Sequence, residues 1–401
     1  MRPVVRSLTL KGFRSFDSAR IEFDNPTLFV GQNGAGKSNL VDALAFIGEA
    51  MTNPLHSVIN RRGGISALCH RPPSGDGVPH FGLALELEIP SAEISSAQYG
   101  FEVQALPQRG FQVTREQCVM TGSGGRIYFA RHEDPSHGSV VDSSFANLIP
   151  LADASSLVLP LVGGHRAFAP VVRALAAMLA YSIEPAKLRQ MQEPNGTSRL
   201  KADGSNAASV LLSLRNEYPA SYSDINEFMS VLLPYKTEVR PVEVGDKLWL
   251  ELVEERGKEE PITLSALSMS DGALRTLGLL LATYQRPTPS LIALEDPEAT
   301  IHPGALGIVL DVIWTISYLS QAVITTHSSE LLDSASWIED RHLRVVHWED
   351  GASRVSLIGK ASRQALQEHL MGAGEMLRSN LLDIDSPPTF SGELDLFGPL
   401  S

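Results

Sequence analysis

The sequence predicts an α/β fold with a parallel-sheet core that is split along the chain, an antiparallel β subdomain and an inserted, mainly helical subdomain. Three observations lead there. First, the apolar run Thr27-Leu28-Phe29-Val30 ends in a glycine-rich turn at 31–38, and Leu40, Val41, Leu44, Ala45 and Ile47 follow at helical spacing. Second, helix-like and strand-like stretches alternate after Pro261, at 272–285, 290–294, 304–318, 322–326 and 329–334, the pattern of a parallel sheet. Third, the chain between these parts has a different texture, rich in short alternating runs and then in helical periodicity.

In order along the chain, residues 4–10 and 19–23 alternate apolar and polar and read as strands joined through 11–16. Residues 52–76, rich in Pro, Gly, Arg and Asn, read as an exposed connection, in which Arg61 and Arg62 beside Gly63-Gly64 read first as a solvated basic loop and second as a contact for phosphate or DNA. Strands at 81–89, 99–106, 110–119 and 126–131 predict the antiparallel sheet. Residues 141–235 are mainly helical in pattern, clearest at 170–181 and 207–218, and a hairpin at 237–254 turns on Gly245-Asp246. No heptad run is long enough for a coiled-coil arm. The tail at 384–401 reads as loosely held. The expected division is 1–50 with 261–360 as the core, 51–140 as the β-rich part, 141–260 as the insertion, and 361–401 as a C-terminal helix and tail.

Composition narrows the class. Of 401 residues, 43% are hydrophobic and 20% charged, ordinary for a globular protein with a sizeable core. The formal net charge of -13 repels a phosphate backbone, so contact with DNA would need a local basic patch. Two cysteines, Cys69 and Cys118, without the pattern of a secretory leader point to reduced thiols and a cytoplasmic location. No stretch approaches the roughly 18 apolar residues of a membrane span.

Four segments carry chemistry. Residues 31–38 fit G-x-x-x-x-G-K-[ST]: Gly31, Asn33, Gly34, Ala35 and Gly36 turn backbone N–H groups toward phosphate, and the following helix, with Asn39 in its first turn, adds its positive end. Lys37 would reach the outer phosphates and Ser38 a Mg²⁺ ion. The strand 291–294 delivers Glu295 and Asp296 to the C-terminal edge of a parallel sheet. Glu295 would hold Mg²⁺, and Asp296 would orient or deprotonate the attacking water. Ser270, Asp271 and Gly272 open a helix and offer an anion site, although alone they are an ordinary cap. His327 follows another apolar strand; alone it reads as a hydrogen-bonded side chain, and its companions give it a functional reading.

Taken together and in this order, the segments resemble ABC-type ATPases of the SMC/RecF/OLD group, nearest to compact bacterial AAA-family ATPases without a coiled-coil arm. The likeness spans most of 1–335 and includes Arg14-Ser15-Phe16 on a loop facing the nucleotide and Asp203-Gly204-Ser205-Asn206 before an apolar helix. The resemblance implies an ABC-type head with ATP and Mg²⁺ as cofactors. In it 31–38 is Walker A, 291–296 is Walker B, 268–272 is the signature motif and His327 is the switch histidine. It also implies a head-to-tail homodimer, with higher oligomers open, in which Ser270 and Gly272 of one copy meet the nucleotide on Lys37 of the other. This chain has Glu295-Asp296 where relatives often carry Asp-Glu, so hydrolysis is expected to be slow or partner-dependent. The expected role is an ATPase that regulates or scaffolds an effector such as a nuclease in anti-phage defence. The alternative is a repair or recombination ATPase acting directly on DNA; no membrane partner is expected.

Overall fold

The computed structural model describes residues 2–71, 78–91, 93–107, 110–134, 138–145, 153–257, 259–385 and 395–397. The chain forms two compact units. One comprises Met1–Met178, Leu343–Lys360 and Asp383–Ser401, and the other Leu179–His342 and Ala361–Leu382.

In the first unit a seven-stranded sheet runs in the order Phe16–Glu22, Val4–Phe13, His80–Glu88, Ser96–Ala105, Phe111–Gly122, Gly125–Asp134, Gly138–Ser143. Every neighbouring pair is antiparallel, as the alternating runs predict. The first strand continues past Leu10 to Phe13 because Phe13 and Phe16 pair across the two-residue turn Arg14-Ser15 and are both fully buried. The helix Lys37–Ala50 inserts Phe46 into this apolar face, with ring centroids 5.6 Å from Phe81 and 6.2 Å from Phe13. Edge-on aromatic packing of this kind adds roughly 0.5–1.5 kcal/mol per pair beyond burial.

The first and last parts of the chain meet in the same unit. Thr27–Val30 pairs in parallel with Leu343–Glu349, Leu28 opposite Leu343 and Val30 opposite Val345, and Ala352–Ser356 completes an antiparallel hairpin beside it. All four residues of Thr27–Val30 are buried, which is why the strand reads as an unbroken apolar run.

Several local expectations change. The connection at 52–76 contains two short helices, Leu55–Arg61 and Ile65–Leu68, because Leu55, Val58, Ile59, Ile65 and Leu68 are buried. The periodicity at 170–181 covers a helix, Ala169–Ala176, and then a strand, Met178–Tyr181. Of the expected loose tail, 386–394 and 398–401 lie outside the described residues. Within 395–397, Leu396 and Phe397 are buried, and the Arg115 guanidinium sits 4.2 Å from the Phe397 ring centroid. Glu116 is fully buried on its strand, where it accepts the N–H groups of Val158 (2.6 Å) and Leu159 (2.9 Å) and the Tyr99 hydroxyl (3.0 Å). It caps the start of the helix Val158–Val162, and burial pushes its carboxyl up to about 7.

The second unit holds a parallel pair, Leu291–Glu295 with Gln321–Thr326, and the helices Asp271–Tyr284 and Leu306–Leu319 pack on one another. The hairpin Lys236–Val244 with Lys247–Glu255 forms at Gly245-Asp246 and gains a third strand, Ile262–Ser265. The helices Ala207–Glu217 and Pro219–Leu232 pack against it. No helix among the described residues is long and apolar enough to cross a membrane.

Candidate functional site

The glycine-rich turn belongs to the first unit. Its backbone passes so close to the C-terminal hairpin that a Cβ on Gly31 would lie 2.1 Å from the Val346 carbonyl oxygen. A Cβ on Gly36, at φ +108, would lie 2.2 Å from Ser353 Oγ and 2.8 Å from Ser15 Oγ, so only glycine fits there. Asn33, Gly34 and Ser38 are exposed, whereas Ala35 and Lys37 are buried. The Lys37 ammonium donates back to the carbonyls of Gly31 (2.8 Å) and Gln32 (3.0 Å), holding the side chain over the turn. Helix Lys37–Ala50 starts at Gly36 with no side-chain cap, and its positive N-terminal end faces the exposed Asn33 and Gly34 side of the turn without a side-chain acceptor from the cap residue.

Arg14, Ser15 and Asn39 lie around this helix start. Asn39 Nδ2 donates to Ser15 Oγ (2.7 Å), Ser15 Oγ and Ser353 Oγ are 2.7 Å apart, and the Ser353 N–H donates to the Ser15 carbonyl (2.8 Å). Arg14, at φ 54, donates two bonds to Asp42 Oδ2 on the helix (2.7 and 3.0 Å). Arg62 departs from the solvated loop expected of it. It is one-tenth exposed, bridges Asp42 (2.7 Å) and Glu49 (2.9 Å), and stacks 5.3 Å from the Phe46 ring centroid. Two carboxylates on one helix face take up Arg14, Arg61 and Arg62, a demand that the local sequence does not display.

The carboxylates and the histidine belong to the second unit. Glu295 ends its strand, and Asp296 turns the chain at φ 40 while its N–H donates to the Thr325 carbonyl (3.1 Å). The turn sets Asp296 Oδ1 3.1 Å from His327 Nδ1. Two residues on, Glu298 is 7% exposed and accepts the Thr326 hydroxyl on Oε1. Burial pushes the Glu298 carboxyl above its ordinary range, and burial pulls the Arg275 guanidinium below its own. Ser328 caps the helix Ser329–Ser334 by accepting the Leu331 N–H (3.1 Å).

Ser270 is the N-cap of helix Asp271–Tyr284 and accepts the Ala273 N–H (3.2 Å). Arg189 pairs with Asp271 and donates to the Met269 carbonyl (2.8 Å), clamping the segment from both sides. A Cβ on Gly272 would lie 3.2 Å from the Thr300 carbonyl, so this helix start packs against the loop that follows Asp296. Asp42, Ser353, Arg189 and Arg275 were not among the sequence candidates and carry no local signal, whereas Glu298, in Asp296-Pro297-Glu298, does and stands as an alternative to Asp296.

Comparison with known proteins bears on the same segments. Residues 179–333 match a family described as AAA domain, putative AbiEii toxin, Type IV TA system, and residues 7–57 match a family described as AAA domain. Among solved structures, the chain is similar to an Smc head bound to the C-winged helix domain of ScpA. That likeness has 16% identity and a TM-score of 0.57, and covers 90% of this chain and 99% of the other. A second, an Smc head domain with an extended coiled coil bound to the C-terminal domain of ScpA derived from Pyrococcus furiosus, has 14% identity and a TM-score of 0.53, covering 92% of this chain and 99% of the other. Comparison with curated proteins gives no match. Residues 7–57 and 179–333 thus match AAA-type domains, and the chain has the fold of Smc head domains over nine-tenths of its length.

Proposed function

We propose that the chain binds ATP with Mg²⁺ at the 31–38 turn, hydrolyses it slowly to ADP and phosphate, and dimerises head-to-tail on it to regulate or scaffold a partner effector. The turn carries this reading. A buried lysine folded over a helix start whose N–H groups no side chain caps is built for a multiply charged phosphate chain. These residues fit the cofactor: the N–H groups of Gly34, Ala35 and Gly36 and the Lys37 ammonium would hold phosphates, with Arg14, Ser15 and Asn39 bracing them. The Ser38 hydroxyl and Glu295 would hold the metal, which supplies charge neutralisation at the phosphates.

Asp296 is the proposed base. With Oδ1 engaged by His327, its Oδ2 is left to accept a proton from water, and the imidazole fixes the direction of the carboxylate. Aspartate is one methylene shorter than glutamate, which supports slow turnover. Ser270, Asp271 and Gly272 would complete the site on the opposite copy, where a helix start clamped by Arg189 presents N–H groups to an anion. The defence role is supported by the likeness of 179–333 to a family described as a putative AbiEii toxin of a Type IV TA system, and a nuclease is the effector class proposed for the partner. The net charge of -13 disfavours direct work on DNA as the main activity.

Lys37→Ala should abolish the ATP-dependent rise in melting temperature that the wild-type chain shows. An equal shift in both proteins would place the nucleotide elsewhere.

A further inference from the structure

We propose that Asp296, Glu298 and His327 form a binding site for a divalent transition-metal ion of the zinc class, occupied without nucleotide and separate from the Mg²⁺ carried by ATP. One ligand atom from each residue lies within 4.8 Å of the other two. The His327 Nδ1 to Asp296 Oδ1 distance is already 3.1 Å. Glu298 supplies the independent pointer. It is 7% exposed, its Oε1 accepts the Thr326 hydroxyl, and its buried Oε2 has no hydrogen-bond partner. A buried oxygen without a donor is destabilising, and a cation relieves that cost.

The donor set selects the ion. One imidazole nitrogen with two carboxylate oxygens suits zinc and its neighbours, whereas Mg²⁺ and Ca²⁺ take oxygen ligands. Ligand atoms about 2.0–2.2 Å from a zinc ion stand closer together than 4.8 Å, so the cluster must contract by roughly 1 Å. The movement falls on His327 and Asp296, whose side chains are 45% and 37% exposed, while buried Glu298 is the anchor. Arg275 is the competing cation: its charge acts on both carboxylates and its Nε is buried without a partner. One guanidinium against two carboxylates leaves the cluster negative.

The functional consequence rests on the ATPase reading above. The ion would take the carboxylate and the imidazole assigned there to water, so zinc should inhibit turnover. Binding itself is independent of that reading and is tested first, by calorimetric titration of Zn²⁺ into the nucleotide-free full chain with excess Mg²⁺ present. One ion per chain is expected, with affinity weakened at least about tenfold in Glu298→Gln and in His327→Ala. Lys37→Ala should bind zinc as the wild type does, so loss of nucleotide binding and loss of metal binding stay distinguishable. Because Glu298 is buried, Glu298→Gln counts only if its melting temperature is preserved; His327→Ala, at an exposed ring, decides otherwise. No zinc uptake by the wild type, or unchanged affinity in His327→Ala, overturns the proposal.

Discussion

The glycine turn of the first unit and the acidic turn of the second are held by different physics. At 31–38 the proposed binding groups are backbone, and sterics fix the residue types: Gly31 stands against the Val346 carbonyl and Gly36 against Ser353 and Ser15. At 295–298 the side chains are the proposed acting groups, and what fixes them is burial and pairing: Asp296 against His327, and buried Glu298 against Thr326. A backbone site tolerates almost no substitution and leaves a spelling in the sequence. A side-chain site tolerates spelling changes, provided that the atoms reach.

That contrast can be broken in order of effect. Asp296→Asn should leave ATP binding intact and slow turnover by about 10²–10⁴-fold, measured as phosphate release; wild-type turnover would move the base to Glu295 or Glu298. Gly31→Ala should destabilise the first unit by about 2–4 kcal/mol, seen in urea melts, because the new methyl meets backbone that cannot give way. A stable variant would show that the hairpin carrying Val346 yields.

The Glu116 carboxyl sits at about 7 in the fold, above the ordinary 4.5 of the unfolded chain. Its stabilising share is therefore present below pH 4.5 and lost as pH rises through about 7. Urea melts across this range should show that loss in the wild type and a flatter profile in Glu116→Gln. Equal slopes would mean that the two N–H donors keep the carboxylate ionised throughout. The smallest effect is expected of Ser353→Ala, about 0.5–1.5 kcal/mol for one hydrogen bond, read as a loss of both stability and ATP affinity. A change in stability alone would separate Ser353 from the phosphate cradle.

The conformation of Asp296 bears on the substitution that the sequence flagged. At φ 40 a side chain crowds its own backbone, and aspartate is among the few residues that enter this region readily. The shorter acid thus suits the turn that brings its oxygen to His327.

Arg62 marks where sequence reading stopped. Its neighbours Gly63 and Gly64 suggested a solvated loop, yet it is part-buried and paired with Asp42 and Glu49, residues 20 and 13 positions away. Pairing at that distance leaves no periodic signal. Ser353 is further still, 338 positions from the Ser15 it touches. Arg189 clamps the helix start at Asp271 from 80 residues upstream of Met269, the residue whose carbonyl it also holds.

The sequence by itself determined the α/β class, the antiparallel sheet of alternating runs, the glycine turn and the strand that ends at Glu295. Each follows from a local rule: side-chain period, apolar run length, or the backbone freedom of glycine. Tertiary structure alone decided that Leu343–Glu349 backs Thr27–Val30, that Asp42 and Glu49 gather three arginines, and that Glu298 is buried. Those outcomes depend on which distant side chains arrive at a place, and burial and charge pairing act only once they have arrived.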